Sequence, residues 1–236
     1  MPAFLDTLAS NVRQTRLANP ESLVCWNLRK TYLRALEARG VAIVPTAWME
    51  AGFAADDLPR CAEGLAAPEL VVKPIVGANG EDAFRIDAVA PGAGLRVLEE
   101  TFRGRGCMVQ PFRARVLEEG EYSLFYFAGM FSHAILKTPR AGEFRSQEER
   151  GARITPVVPD ALLAETGQRA VDALPERPLY ARVDLVGNDA NDFEVMELEL
   201  IEPSLYLRTD AGAPARFARA IDLWFSRAGA PRRRPG

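Results

Sequence analysis

The apolar residues of this chain follow a helical period in four segments. Residues 27–38 are the clearest case, because their apolar residues lie three or four positions apart and Gly40 follows as a stop. The residues on that apolar face are Leu28, Tyr32, Leu33 and Leu36. Three further helices are predicted, at residues 93–103, 160–174 and 213–228.

Short apolar runs bounded by Gly, Pro or charged residues predict β-strands between these helices. The runs at 122–127 and 131–136 are joined by Ala128-Gly129 and predict a hairpin. The runs at 179–186 and 193–201 are joined by a polar turn and predict a second hairpin. The remaining predicted strands lie at 41–44, 70–72, 83–87 and 108–110.

Hairpins mixed with helices indicate an α+β protein with two lobes. Residues 138–155 follow neither period and predict a long loop, of the kind that often covers a functional site. Residues 110–115 are the expected hinge. We therefore predict an N-terminal segment, a small lobe, a large lobe and a disordered Arg-containing tail, at residues 1–27, 28–109, 110–228 and 229–236.

Composition narrows this interpretation by exclusion. One histidine, His133, cannot build a two-His or three-His metal site, and three separated cysteines form no C-x-x-C motif. The net charge of −3 provides no basic field for nucleic acid. The sequence has neither a secretory signal nor a run of roughly 18 apolar residues, the length of a membrane span. We therefore expect a cytoplasmic protein with reduced thiols.

Lysine is rare in this chain. Lys30, Lys73 and Lys137 are the only lysines among 29 basic residues. An ammonium group is a compact point charge that fits beside one phosphate oxygen, whereas guanidinium is a broad planar fork. The three lysines are therefore candidate phosphate ligands, and the alternative is that they are chance survivors in an Arg-rich composition.

Lys73 has the most informative surroundings of the three. It follows the apolar strand 70–72 and precedes the Gly-Ala-Asn-Gly segment 77–80, whose backbone N–H groups could close over an anion. The Gly-Lys-Ser/Thr ending of a Walker A loop is absent. A plain hairpin turn at residues 79–80 is the other interpretation.

Alternating charged residues mark the last predicted hairpin. Residues two apart share one face of a strand, and a turn centred at 190–191 would place Asp184 opposite Glu197. Arg182 then lies opposite Glu199. Opposed carboxylates repel, and a divalent ion such as Mg²⁺, which prefers oxygen ligands, removes that repulsion. A solvated acidic face is the alternative, but the direct Asp–Glu opposition and the nearby arginine favour a metal site.

Taken together and in this order, these features resemble the ATP-grasp ligases. The resemblance covers roughly residues 26–224. It is to the branch that contains bacterial glutathione synthetase, the ribosomal-protein glutamate ligase and the O-ureido-serine cyclo-ligase of D-cycloserine biosynthesis, and it is strongest to the last. The segments that carry it are 26–30, 136–139, 142–145 and 197–205.

The resemblance implies two α+β lobes that clasp ATP. Lys30 and Lys73 match the two nucleotide lysines of the small lobe, and Lys137 matches the cation on the transferred phosphate. Glu121 matches the acid that contacts ribose. The other implied nucleotide contacts are the loop residues Gly77, Asn79 and Gly80, and the hinge residues Gln110, Pro111 and Phe112, whose backbone meets adenine.

The same resemblance implies the catalytic, metal and substrate residues. Arg182 matches the arginine that steadies developing charge, with Lys137 as the second catalytic cation. The implied ligands of Mg²⁺, or of Mn²⁺ in its place, are Asp184, Glu197 and Glu199. The residues where the family meets its acyl substrate are Arg145, Glu202 and Ser204.

Two features depart from the family pattern. The long loop contains Glu143-Phe144-Arg145 where many relatives have Asp-Phe-Arg, and Gly151-Ala152 where many have Gly-Gly. An N-terminal α/β domain usually precedes the first lysine, whereas only 29 residues precede Lys30. Residues 1–27 are therefore expected to be a remnant of that domain.

The implied function is an ATP-dependent carboxylate–amine ligase that acts through an acyl phosphate on a small amino-acid-like substrate. Intramolecular cyclisation is one form of this reaction. The alternative is a non-catalytic or truncated Mg-ATP-binding protein of the same fold. We expect small-molecule acid and amine partners, no nucleic-acid or membrane partner, and a homodimer as an open option. His133 is interpreted as a packed strand residue.

Overall fold

The computed structural model describes residues 2–229, so the predicted disordered tail lies outside it except for Gly229, which ends the last helix. The helices are α1 (Pro2–Gln14), α2 (Glu21–Asn27), α3 (Tyr32–Glu37), α4 (Asp57–Gly64), α5 (Gly94–Phe102), α6 (Arg115–Glu118), α7 (Ala161–Asp172) and α8 (Ala213–Gly229). The strands are β1 (Ala47–Met49), β2 (Glu69–Pro74), β3 (Phe84–Asp87), β4 (Cys107–Pro111), β5 (Glu121–Phe127), β6 (Met130–Thr138), β7 (Arg153–Val157), β8 (Tyr180–Gly187) and β9 (Phe193–Glu199).

A four-stranded antiparallel sheet forms the small lobe, in the order β1-β4-β2-β3. Alternate residues of β2 are buried, so Leu70 and Val72 enter a core with Leu58 and Phe102 from the flanking helices α4 and α5. Because side chains alternate along a strand, Lys73 is directed away from this core. The predicted pair of strands around residues 79–80 is confirmed as β2 and β3.

A five-stranded antiparallel sheet forms the large lobe, in the order β7-β6-β5-β8-β9. Both predicted hairpins are present as β5–β6 and β8–β9. Its main core joins strand residues Leu124, Val183 and Leu198 to Leu163 of α7 and Leu33 of α3. The structure is therefore mixed α+β with two antiparallel sheets, as predicted.

The prediction of one continuous helix at 27–38 is wrong in one respect, because the chain forms a turn near the start of that segment. Helix α2 ends at Asn27 and α3 begins at Tyr32, and Lys30 lies in the intervening turn. Its backbone N–H donates to the carbonyl of Ile75 at 2.8 Å, which ties the turn to the small lobe. A long-range bond of this kind leaves no local sequence signal.

Two other local predictions need correction, and five elements were not predicted. The segment at 41–44 forms one isolated bridge, between Ile43 and Val195, rather than a strand. The predicted long loop ends earlier than expected, because residues from Arg153 onward pair with β6 as strand β7. The sequence analysis also missed elements α1, α2, α4, α6 and β1.

Helices α2 and α3 pack against the large sheet. Leu23 and Leu36 share the core that contains Leu124 and Leu198. The start of the predicted small lobe, residues 28–37, therefore lies against the large one, and the division at residues 28 and 110 stays a prediction. None of the helices within residues 2–229 has both the length and the apolarity needed to span a membrane.

Candidate active site

Two adjoining cavities lie between the sheets. The first is bounded by β2, the end of β4 and Met196 of β9. The second, of about 340 Å³, is bounded by β8, β9 and residues 201–206. The two cavities share one wall, formed by Lys30, Gly77, Ala78, Asn79, Glu121, Ser146, Gln147 and Glu197.

The first cavity has an apolar and aromatic lining. Phe112 and Phe144 meet edge to face with ring centroids 6.4 Å apart, and the aliphatic lining residues are Val44, Val71, Val116 and Met196. Flat aromatic ligands bind well between such surfaces. The first cavity can therefore hold a planar base.

The hinge residues line this cavity, but two of their groups are already engaged. The N–H of Phe112 donates to the carbonyl of Glu69 at 2.9 Å, and the Gln110 amide donates to the hydroxyl of Thr46 at 2.9 Å. Pro111 has no N–H to offer. A base in this cavity must therefore form hydrogen bonds with backbone groups of the hinge other than the N–H of Phe112.

The loop at residues 77–80 has the form expected of an anion site. In the part of the chain that the structure describes, the N–H groups of residues 77–80 donate to no other protein group. Lys30 Nζ donates to the carbonyl of Gly77 at 2.9 Å. Gly80 has φ +61°, and a Cβ there would lie 3.0 Å from Gln147 Oε1. The glycine therefore permits both the turn and the close approach of the long loop.

Lys30 and Lys73 have contrasting environments. Lys30 Nζ lies 2.5 Å from Glu197 Oε1. Within residues 2–229, by contrast, Lys73 has neither an ion-pair partner nor a hydrogen-bond partner for its ammonium group. Burial lowers the pKa of Lys73, although Glu197 opposes the shift. A half-buried cation without an ion-pair partner, beside a loop of free N–H groups, suits an anionic ligand.

We expect Lys73→Met to raise the free energy of unfolding by up to about 1 kcal/mol at pH 7, because it removes a half-buried charge that has no ion-pair partner within residues 2–229. The gain is full below the lowered pKa of Lys73 and disappears as the pH rises toward the ordinary lysine value. The same variant is expected to bind Mg-ATP at least about tenfold more weakly. Urea denaturation and calorimetry measure the two effects.

Lys30→Met is the matched control, because Lys30 has a carboxylate partner. It is expected to lower the free energy of unfolding, since Glu197 is left without its cation. If both substitutions lower the free energy of unfolding equally, Lys73 is not an unpaired cation that is kept for binding a ligand.

The predicted register of the acidic hairpin is confirmed. Asp184 lies opposite Glu197, and Arg182 lies opposite Glu199. A bulge after Asp184 shifts the register by one residue nearer the turn, so that Leu185 pairs with Val195. The pairs Asp184–Glu197 and Arg182–Glu199 lie on the far side of this bulge from the turn. In that part of the hairpin, alternate residues share a face as predicted.

Arg182 and Asp184 form the buried centre of the second cavity wall. Arg182 Nε and Nη2 each lie 2.9 Å from an oxygen of Asp184, and Nη2 also contacts Glu199. Ser123 Oγ donates to Asp184 Oδ1 at 2.6 Å. Burial opposes ionisation of Asp184, but Arg182 and then Lys137 outweigh it and hold its pKa below the usual range.

Lys137 lies between two buried carboxylates. It pairs with Glu121 across the β5–β6 ladder, and its Nζ lies 3.3 Å from Asp184 Oδ2. Burial would lower the pKa of Lys137, but the two acids raise it above the usual value. Burial raises the pKa of Glu121, and Lys137 opposes this shift only in part. Lys137 therefore remains charged.

Glu199 is the acid of this group whose ionisation is most delicately balanced. Burial raises its pKa to about 7, while Arg182 lowers it and the carboxylates of Asp184 and Glu197 raise it further. Its side chain still has 31% of its surface exposed to the cavity. A divalent ion placed beside Glu199 would favour its ionised form.

The three predicted metal ligands share one face, but each is directed toward a cation. Within residues 2–229, no three carboxylate, imidazole or thiol groups are gathered into a ready metal site. Glu197 contacts Lys30, while Asp184 and Glu199 contact Arg182. Their oxygen-only chemistry fits Mg²⁺, and the pKa of Glu199, raised first by burial and then by the carboxylates of Asp184 and Glu197, leaves room for one more cation beside it.

Comparison with known proteins places the chain in a family. No family model matches it. It is 34% identical over 224 residues to the cycloserine biosynthesis protein DcsG of Streptomyces lavendulae, covering 88% of this chain and 73% of the relative. The crystal structure of D-cycloserine synthetase DcsG superimposes with a TM-score of 0.80 at 30% identity, over 93% of this chain and 77% of that one. The chain belongs to the ATP-grasp ligases.

More distant relatives agree with this assignment. Glutathione synthetase of Prochlorococcus marinus is 28% identical over 192 residues, which cover 80% of this chain and 57% of the relative. The ATP-grasp ligase PsnB complexed with a minimal precursor, Mg and ADP has a TM-score of 0.63 at 13% identity, over 88% of this chain and 62% of that one, and shows the fold alone. The class of reaction is ATP-dependent ligation of a carboxylate to an amine.

The structure divides the predicted substrate residues of this ATP-grasp ligase between the two cavities. Glu202 and Ser204 line the second cavity. Arg145 instead lines the first cavity, where its guanidinium is held by Glu143 at 2.7 Å. Hydrogen bonds from Arg145 lower the pKa of Glu143 to about 2. Arg145 therefore lies apart from Glu202 and Ser204, and its contact with the substrate stays a prediction.

The sequence analysis missed several site residues of the ligase. Ser123 faces Asp184 only because β5 and β8 are neighbours. The Asn27 side chain donates to Leu198 O and accepts from Leu200 N, both at 2.9 Å, so it acts as a strand partner for the edge of β9. Ser146 is buried on the wall between the cavities, and its Oγ has no hydrogen-bond partner within residues 2–229. Of these, only Asn27 lies in a segment that the family resemblance singled out.

Proposed function

We propose that this ligase activates the carboxylate of a small amino-acid-like substrate as an acyl phosphate and closes it onto an amine of the same molecule. The observation that carries the proposal is the wall shared by the two cavities. An aromatic-lined cavity and a charged cavity meet at Lys30, Glu121 and Glu197. A phosphoryl group delivered from the first cavity would reach an acceptor in the second at this wall.

The proposed nucleotide site uses the first cavity and the loop at residues 77–80. The base would lie in the cavity lined by Phe112 and Phe144, and Glu121 would contact the ribose as the family resemblance implies. The free N–H groups of the loop, together with Lys30 and Lys73, would hold the phosphates. This arrangement supports ATP as the donor.

The proposed chemistry needs no general-base histidine. A carboxylate oxygen of the substrate attacks the γ-phosphorus, the bond to ADP breaks, and an acyl phosphate forms. The amine nitrogen then attacks the acyl carbon, inorganic phosphate leaves, and the amine loses a proton. Lys137 and Arg182, which are buried and held by Asp184, would stabilise the charge that develops on the transferred group.

Asp184, Glu197 and Glu199 would hold Mg²⁺, or Mn²⁺ in its place, at the border of the second cavity. The ion neutralises phosphate oxygens when it is bound. The side chains of Glu197 and Glu199 have 27% and 31% of their surface exposed, compared with 3% for Asp184. The two glutamates are therefore the more accessible ligands.

The affinity for Mg-ATP is expected to rise with pH up to about 7 and then level off, because Glu199 must lose its proton to bind the ion. Below that pH the affinity should fall by up to about tenfold per unit. Calorimetry at three pH values, in two buffers that differ in ionisation enthalpy, measures the affinity and the protons released.

Glu199→Gln is the control, because the phosphate of ATP also titrates near this range. The variant should bind Mg-ATP more weakly and lose the part of the pH dependence that belongs to the protein. An identical pH dependence in wild type and variant would show that Glu199 is not the titrating ligand.

The intramolecular form of the reaction is supported by the size of the second cavity and by the relation to D-cycloserine synthetase. A cavity of about 340 Å³ is at the lower end of the range for small-molecule sites. When both reacting groups belong to one molecule, the entropy cost of bringing them together is smaller.

An ADP-release assay with ureido-amino acids tests the proposal. ADP formed with a single ureido-amino acid and no added amine, together with a cyclic product by mass spectrometry, is the expected result. ADP formed only when a separate amine is supplied would indicate intermolecular ligation. Mg-ATP binding without ADP release across a panel of amino acids and ureido-amino acids would contradict the proposed substrate class.

A further inference from the structure

His133 has a defined hydrogen-bond partner on each ring nitrogen. It is the only histidine of the chain and lies buried on β6, outside the residues that line either cavity. Its Nε2 lies 3.0 Å from the carbonyl oxygen of Leu205, and its Nδ1 lies 3.0 Å from Ser132 Oγ. Its ring stacks on Phe125 at 4.4 Å with an interplanar angle of 11°.

The partners of His133 determine where its proton lies. The carbonyl of Leu205 can only accept a hydrogen bond, so Nε2 must carry the hydrogen. In a neutral ring Nδ1 then accepts, and Ser132 donates its hydroxyl hydrogen to it. Arg216 Nε, which can only donate, lies 3.0 Å from Ser132 Oγ and supplies the bond that this oxygen accepts.

The result is one directed chain of hydrogen bonds, from Arg216 through Ser132 and His133 to Leu205. It begins on α8, where Arg216 is itself held by Asp210 at 2.5 Å. Burial lowers the pKa of His133, against the hydrogen bond to Leu205, which raises it. The neutral form that the chain requires is therefore the form present near pH 7.

The chain ends on a strained segment of the second cavity. Leu205 lies between Ser204 and Tyr206, and both of these line the cavity. Tyr206 has φ 45° and ψ 37°, a left-handed conformation that costs a non-glycine residue about 1–3 kcal/mol. The Tyr206 ring lies 6.1 Å from Phe125, the ring on which His133 stacks. His133 therefore contacts this segment both through the carbonyl of Leu205 and through Phe125.

We propose that His133 is a positioning residue for the acid substrate: its Nε2–H holds the carbonyl of Leu205 and so keeps Ser204 and Tyr206 in place as a wall of the second cavity. The substrate part of this inference rests on the proposed function, whereas the coupling of His133 to residues 204–206 does not. His133 itself contacts neither the nucleotide cavity nor the reacting groups.

Two substitutions separate the hydrogen bond from the packing. His133→Phe keeps a ring on Phe125 but removes both hydrogen bonds. His133→Gln restores an N–H that can reach Leu205. With a ureido-amino acid that the wild type converts, His133→Phe should raise the KM for the acid about tenfold or more and change the KM for ATP less than about twofold. In His133→Gln the KM for the acid should return most of the way to the wild-type value.

Two measurements on the full chain without substrate test the coupling by itself. With ¹⁵N-labelled histidine, and with any polyhistidine tag removed, the one histidine should give the signals of a neutral ring protonated at Nε2. Hydrogen exchange at residues 204–209 should be faster in His133→Phe than in wild type or His133→Gln, while exchange at residues 77–81 stays unchanged.

The outcomes are distinguishable. A ring protonated at Nδ1, unchanged exchange at residues 204–209 in His133→Phe, or equal increases of both KM values would overturn the inference. If no acid is converted by the wild type, the proposed substrate class fails, and the exchange experiment still decides the coupling. If His133→Phe does not fold, Ser132→Ala replaces it and should alter the ¹⁵N signal of Nδ1. An unaltered signal in Ser132→Ala would overturn the hydrogen-bond chain.

Discussion

Glu197→Gln is expected to lower ATP turnover by about a hundredfold to a thousandfold while the protein remains folded, the range for removal of one group that stabilises transferred charge. Glu197 borders both cavities and is bound to Lys30, so its carboxylate faces the point where we propose the phosphoryl group crosses. Gln has nearly the same shape, but it has no charge to offer a divalent ion or Lys30.

The measurement is single-turnover ADP formation at saturating ATP, with circular dichroism and urea denaturation as checks of the fold. Burial opposes ionisation of Glu197, but Lys30 and Lys73 hold its pKa below the usual range, so the wild-type carboxylate is charged at the assay pH. The lost activity therefore reports the loss of a negative charge rather than of a neutral hydrogen-bonding group.

Glu194→Gln is the matched control. Glu194 lies on the same strand and is more buried than Glu197. It forms a two-bond ion pair with Arg113, which lines the first cavity, but Glu194 itself lines neither cavity. Its substitution should lower stability while changing turnover less than about threefold, the scale of an effect outside the site. Similar losses of turnover in both variants would show that Glu197 acts through the fold and not at the transferred phosphate.

Arg182→Met is expected to lower the free energy of unfolding by about 3 kcal/mol near pH 8, because it leaves two carboxylates without their main counter-ion in a buried site. Asp184 keeps Ser123 and Lys137 as partners, but Glu199 loses its only ion-pair partner within residues 2–229. Turnover should be lost as well, because no group replaces the guanidinium beside the transferred charge.

The stability loss should depend on pH in a defined direction. Burial already raises the pKa of Glu199 to about 7, above its unfolded value, and the loss of Arg182 raises it further. The folded variant then binds more protons than the unfolded chain, so its stability falls as the pH rises. Urea denaturation between pH 6 and pH 8 should show a larger gap from wild type at the higher pH.

Arg113→Met provides the comparison for this effect. Arg113 also makes two hydrogen bonds to a buried carboxylate of β9, but it contacts one acid instead of two and has 19% of its side-chain surface exposed. Arg113→Met is therefore expected to lower the free energy of unfolding by about half as much as Arg182→Met. If Arg182→Met costs no more than Arg113→Met, Arg182 is not the electrostatic centre of the acidic hairpin.

Most local elements could be predicted from the sequence, and the failures have identifiable causes. The pairs Arg182–Glu199 and Asp184–Glu197 agree with the predicted register, whereas the bulge between them and the turn has no signal in the sequence. The helix at 27–38 failed because Asn27 binds the edge of β9 and Lys30 binds Ile75, contacts with distant strands that override a continuous apolar stripe. Arg145 lines the first cavity while Glu202 and Ser204 line the second, because only the folded chain determines on which side of the cleft the long loop lies.

The sequence by itself determined the residue types and their order: three lysines in an Arg-rich chain, a glycine loop, and a hairpin with opposed acids. Only the tertiary structure decided which of these groups meet. Lys137 lies between Glu121 and Asp184, and Ser123 faces Asp184 across 61 residues, because β5 pairs with both β6 and β8. Strand neighbours are selected by burial of apolar faces over the whole chain, and that selection leaves no mark on the short segments that supply the charged groups.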